Sequence, residues 1–162
     1  MVVLRYVYLL ALVVWLGGMV MLGAVVAPTT FQVLQERQGD AGRVLAGAVF
    51  GETLRRFHLV AYVAGGIVLA SLVWMALARW RQPGLPACLL IAATMLALTL
   101  VSGTVISPRI ERVRAAVGGS VVDLPAADPR RMEFGRLHGV STGLMLVNIV
   151  GGLVLLYWEA RR

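Results

Sequence analysis

Residues 85–106 read LPACLLIAATMLALTLVSGTVI, an apolar run without a single charged side chain. A helix rises 1.5 Å per residue, so about 20 such residues cross the roughly 30 Å hydrocarbon layer of a bilayer. Three more stretches meet the same length requirement: Val2 to Ala27, Phe57 to Ala78 and Leu137 to Trp158. Inside lipid no water serves the backbone polar groups, so runs of this kind read as helices, and the alternation of barrel strands is absent. Composition agrees, with 59% hydrophobic and 14% charged residues over 162 positions, more apolar surface than a soluble core can bury. The expectation is an all-α integral membrane protein, a bundle of four transmembrane helices forming a single membrane domain over residues 1–162.

The chain also repeats at an offset of 80 residues. Gly23-Ala24-Val25-Val26-Ala27-Pro28 reads against Gly103-Thr104-Val105-Ile106-Ser107-Pro108, and Arg56-Phe57-His58 against Arg136-Leu137-His138. The halves, approximately 1–80 and 81–162, are therefore two repeated helix hairpins. A hairpin returns to its starting face, so the repeat predicts a pseudo-two-fold axis along the membrane normal. The same Gly-to-Pro ending closes helices one and three, which argues that helix one is retained rather than cleaved as a signal peptide.

Both long loops then lie on one face, termed face A. Pro28 and Pro108 mark the helix exits, because proline lacks the N–H donor and biases its predecessor away from helix. A short surface helix is expected after each. Asp40 is the expected cap of a helix from Ala41 that continues through Gly51, and Asp128-Pro129 the cap and first turn of the last helix. Face B carries the tight connection Arg79-Trp80-Arg81-Gln82-Pro83-Gly84 and an aromatic belt of Tyr6, Tyr8, Trp74, Trp80, Tyr157 and Trp158. All 15 basic residues are arginine. Their number favours face A as cytoplasmic, whereas their density in the short segments of face B favours the reverse.

The formal charge of +7 fits anionic lipid neighbours, with a bacterial-type inner membrane as the expected multi-pass location; nothing resembles a nucleic-acid footprint. Lone Cys88 permits no intrachain disulfide. Glycines on helices one, two and four allow close helix approach, within the chain or in a homo-oligomer through Gly139 and Gly143. No nucleophile elbow, phosphate-cradling loop, HExxH or buried acid pair is present, so redox chemistry is the one enzymatic class left standing.

His58 and His138 fall at equal depth just inside face A. On the last helix His138, Ser141 or Thr142, Met145, Asn148 and Gly152 recur every three to four residues and share one face. Helix two offers His58, Tyr62 and Gly65. Two imidazoles on facing helices can serve as the axial ligands of a haem b, with Arg56 and Arg136 as partners for its propionates. Alternatively, the histidines and Met145 form a soft site suited to copper. In the plainer reading each histidine only hydrogen-bonds at the interface, to a loop carbonyl or to Glu52 or Glu133, and the chain is a scaffold or partner-binding subunit.

Trp15-Leu16-Gly17-Gly18, the exit Val26-Ala27-Pro28-Thr29-Thr30-Phe31, Ser107-Pro108-Arg109-Ile110, and the run from Phe134 to Ser141 with Asn148 resemble the family of transmembrane protein 205. That resemblance implies small four-helix membrane proteins, an association with drug or metal tolerance in the animal member, and use of His138, Ser141 and Asn148. Trp15-Leu16-Gly17-Gly18 also looks like the copper resistance D family, which implies a metal role, although this chain has no histidine before the tryptophan.

Overall fold

The computed structural model describes residues 2–78 and 84–161, and these are helical almost throughout. Helix α1 spans Val2–Met21 and passes through a π-helical turn, Leu22–Val26, into α2, Ala27–Leu77. After the connection come α3, Leu85–Val101, a second π turn, Ser102–Ile106, and α4, Ser107–Val117. A 3-10 turn, Val121–Asp123, leads to α5, Pro129–Ala160. No strand occurs among the described residues. Three continuous helical runs, Val2–Leu77, Leu85–Val117 and Pro129–Ala160, are long and apolar enough to cross a membrane. Residues 79–83, which hold most of the expected face B connection and Trp80, lie outside the described residues.

The first run is not one straight rod. Gly39 has φ 57° and ψ −131°, a conformation that L side chains rarely adopt, and the chain reverses there. The reversal is tight enough that a Cβ on Gly42 would collide with the Leu34 carbonyl, and Phe31 meets Phe50 across it with ring centroids 6.4 Å apart. The helix resumes at Asp40 from this glycine hinge, in place of the expected capped start near Ala41. Farther along, Trp15 sits on Gly65 and Phe57 on Gly18, so α1 and the later arm of α2 run antiparallel.

The two prolines explain the two π turns. A proline in a continuous helix clashes with the carbonyl four residues back, and widening the turn just before it removes the conflict. The amide of Ala27 accordingly reaches back five residues to the Leu22 carbonyl, and that of Ser107 to the Ser102 carbonyl. The chain therefore continues as helix through each exit, where a break before a surface helix is expected from the sequence. The two turns stand 80 residues apart, in register with the sequence repeat.

Buried residues form one stripe per helix: Tyr8, Leu12, Trp15 and Met19 on α1; Ala61, Ala64, Val68, Leu72 and Met75 on α2; Cys88, Ala92, Met95 and Thr99 on α3; Asn148, Gly152 and Leu155 on α5. Each recurs every three to four positions, as one face of a helix must. α1 packs on α2 and α5, and α3 packs on the same two helices. Outward positions such as Val13, Val63, Leu90 and Val150 are exposed aliphatics, the surface that lipid would cover. Of the expected aromatic belt, Tyr6, Trp74 and Tyr157 are exposed, while Tyr8 turns into the core.

At the N-terminus of α5 Asp128 caps as expected, its carboxylate accepting from the Arg130 amide at 2.8 Å with Pro129 following. α4 ends at Gly118, whose φ of 66° closes the helix in the left-handed region. The far ends of α1 and α5 are tied by Arg5, whose Nε donates to the buried Glu159 carboxylate at 2.7 Å.

Candidate functional site

Between the helices, from mid-α1 to the α2 reversal, lies a cavity of ≈ 1190 Å³. Its deep end is made by Trp15, Met19, Thr99 and Asn148, its middle by His58, Tyr62, Ser102, Ser141 and Met145, and its mouth by Arg43, Glu52, Glu111 and Arg114. His138 lines the same cavity. The fold thus gathers His58, His138, Ser141, Met145 and Asn148 around one space. Arg56 and Arg136 are not among the lining residues. A residue two positions before another on an α-helix is turned about 200° from it, so an arginine two residues before an inward histidine points away. Arg56 instead donates to Glu52 at 2.8 Å, and Arg136 is exposed.

The two histidines occupy equivalent sequence positions in unlike surroundings. His58 is 7% exposed, and its Nδ1 is buried without a hydrogen-bond partner. Its ring lies against Gly103 in the second π turn, where an added Cβ would come within 2.8 Å of His58 Cδ2 and would collide with the Tyr62 hydroxyl. His138 is exposed and stacks on Phe134, centroids 6.0 Å apart and planes 6° from parallel. Arg114 covers Phe134 at 5.7 Å from the ring centre. At Gly23, the counterpart of Gly103, a Cβ would meet only the Met145 thioether, with Cε at 3.2 Å. The packing at Gly103 is therefore closed over His58, while at Gly23 only the flexible end of Met145 would have to give.

The deep end contains a directed hydrogen-bond chain. The Thr99 hydroxyl donates to the Met95 carbonyl at 2.9 Å, and Asn148 Nδ2 donates to Thr99 Oγ1 at 3.1 Å. Asn148 Oδ1 is left buried without a partner, as are Trp15 Nε1 and, nearer the mouth, Ser107 Oγ. Buried polar atoms in native proteins are nearly always satisfied, so unpaired ones on residues that border one cavity mark where a ligand or water belongs. Among the described residues no group of three or more His, Cys, Asp or Glu side chains is placed to hold a metal ion.

At the mouth, Arg114 turns inward. Its guanidinium donates to the Gly47 carbonyl at 2.6 Å and to Glu111 at 3.2 Å. Gly47 allows this approach, since a Cβ there would stand 2.7 Å from the guanidinium. Arg43 makes a looser contact with Asp123 at 3.8 Å. Hydrogen bonds from Arg55 and then Arg56 hold the Glu52 carboxyl at about 2, well below its ordinary 4.5. Arg130 likewise lowers Asp128.

Sequence reasoning missed Thr99, Gly103, Arg43 and Arg114. Gly103 had a signal, because it heads the repeated Gly-to-Pro segment opposite Gly23. For Arg43 and Arg114 there was none, since their approach depends on the reversal at Gly39.

The architecture defines a class: an all-helical protein of membrane-spanning character with a polar-floored cavity entered at one end. The family model described as a domain of unknown function (DUF4149) matches residues 10–118, more than half of the chain, and the chain belongs to that family. The match includes His58, Thr99 and Gly103 and stops before α5, which supplies His138, Met145 and Asn148. Among curated proteins and solved structures none matches the chain.

Proposed function

We propose that the chain crosses the membrane four times, as two repeated helix hairpins, and that its cavity binds one ligand between His58 and His138, with haem b as the first candidate. The observation that carries this reading is that both histidines, from positions 80 residues apart, line a single cavity. The hinge at Gly39 supports the fourth crossing, because it divides the long first run into two antiparallel arms. In-register π turns support the hairpin repeat. The bacterial inner membrane is the proposed location.

For haem b the residues fit. His58 lines the cavity with a buried ring nitrogen, Nδ1, that has no hydrogen-bond partner, so its imidazole has an uncommitted nitrogen to offer a metal. The cavity is large and mainly apolar, and Arg43 and Arg114 at its mouth replace Arg56 and Arg136 as the cations beside acidic ring substituents. When bound, the group would supply one-electron redox chemistry. His58 and His138 would hold it, and Arg43 and Arg114 would lie beside its charged edge at the mouth.

Copper on His58, His138 and Met145 is the second reading, favoured by Met145 lining the same cavity. The visible spectrum and metal content of detergent-purified protein, expressed with haem supply, decide between them. A Soret band supports haem, and stoichiometric copper without one supports the second reading. The absence of both leaves the chain as a scaffold, whose open Gly139 and Gly143 then become the first place to look for a second copy.

A further inference from the structure

The deep end of the cavity has a chemistry separate from the histidines. Thr99 has one proton, and it is committed to the Met95 carbonyl, so toward Asn148 it can only accept. This fixes the amide: Nδ2 faces Thr99, and Oδ1 is the atom left over. Asn148 is 3% exposed and Trp15 0%, and both residues border the cavity, the first carrying a buried unpaired acceptor and the second a buried unpaired donor. The neighbouring lining residues Met19, Thr99 and Met145 carry no ionisable group, so a charged end would be buried there without a counter-ion.

We propose that this end is a subsite for the neutral hydroxyl end of a bilayer-soluble molecule, a long-chain alcohol, phenol or quinol in chemical class. A hydroxyl donates to Asn148 Oδ1 and retains lone pairs for a donor such as the Trp15 indole. An ether or hydrocarbon end leaves the asparagine oxygen buried and unpaired, which a site built to hydrogen-bond a hydroxyl penalises. The lining continues through Leu22, Ala27 and Phe31, an apolar wall that accepts the rest of the molecule. This assignment rests on residues other than the histidines and is tested on protein without haem, because a haem between His58 and His138 would fill part of the same cavity.

The test compares 4-octylphenol with its methyl ether, 4-octylanisole, by equilibrium dialysis against the protein in lipid nanodiscs, with partition into empty nanodiscs subtracted. The phenol is expected to bind saturably and at least about tenfold more tightly than the ether, a difference of about 1.4 kcal/mol. Asn148→Leu, which removes the acceptor at similar volume, is expected to bring the two within about twofold. Thr99→Val, which frees the amide to turn, is expected to reduce the preference without abolishing it. Native protein that binds both probes equally, or neither saturably, overturns the proposal without recourse to a variant. A preference unchanged in folded Asn148→Leu does the same. The haem spectrum is read on separate, haem-supplied samples, so either result can fail alone.

Discussion

Alanine at Gly103 and alanine at Gly23 are the same substitution at equivalent points of the repeat, and the structure assigns them different outcomes. A Cβ at Gly103 collides with the Tyr62 hydroxyl and stands 2.8 and 2.9 Å from His58 Cδ2 and Cγ. The tyrosine tip can swing, but Cγ is the root of the imidazole, so the ring or helix α3 must shift. Overpacking of this kind costs about 1–3 kcal/mol, against the ~1 kcal/mol that alanine gains over glycine in a helix, leaving a net loss of up to about 2 kcal/mol. At Gly23 the new methyl meets only the flexible end of Met145 at 3.2 Å. Its net effect is near zero or stabilising by up to about 1 kcal/mol. For a chain of this length 1 kcal/mol corresponds to roughly 2–4 °C in Tm. Thermal unfolding in detergent, followed by tryptophan fluorescence, is therefore expected to place Gly103→Ala several degrees below Gly23→Ala. Equal melting temperatures, or the reverse order, would refute the closed packing over His58 and with it the asymmetry between the two glycine positions.

Arg5→Ala is expected to destabilise by about 2 kcal/mol in the same assay, less than the ~3–5 kcal/mol for breaking a fully buried pair because Arg5 is partly exposed. Its effect should exceed that of Glu159→Gln, which removes the buried charge as well. Glu52 lies below its unfolded pKa, so the stabilisation from its arginine partners is complete above about pH 4.5 and is lost as pH falls toward about 2. Arg55→Gln should raise the Glu52 pKa toward 4.5, a shift read by carboxyl carbon NMR. Asp128→Ala removes the α5 cap, at a cost of about 1 kcal/mol, and should speed hydrogen exchange in the first turn of α5 while leaving α3 unchanged.

Hydropathy made the helical segments legible, because the bilayer imposes a length that few other constraints can imitate. The spacing of His138, Ser141, Met145 and Asn148 was legible for a related reason: one helical face is a local property. Contacts that depend on how helices meet were not. Thr99 pairs with Asn148 across 49 positions and Arg5 with Glu159 across 154, and no periodicity encodes either. The Arg-x-His repeat drew both arginines toward the site on spacing alone, yet the 100° turn per residue sends them away from the histidines. Gly39 beside Asp40 looked like a helix cap and is a hinge, a difference that rests on one positive φ. The prolines signalled the helix exits, but the widened turns that keep the helices continuous there were not readable from the prolines themselves.

The most direct test of the central claim is a haemin titration of purified protein in nanodiscs, with native, His58→Ala and His138→Ala chains compared by Soret absorbance and low-spin electron paramagnetic resonance. The account predicts one haem per native chain with a bis-imidazole low-spin signal, which either single substitution abolishes. Native protein that takes up no haem, or a low-spin signal that survives both substitutions, would contradict it.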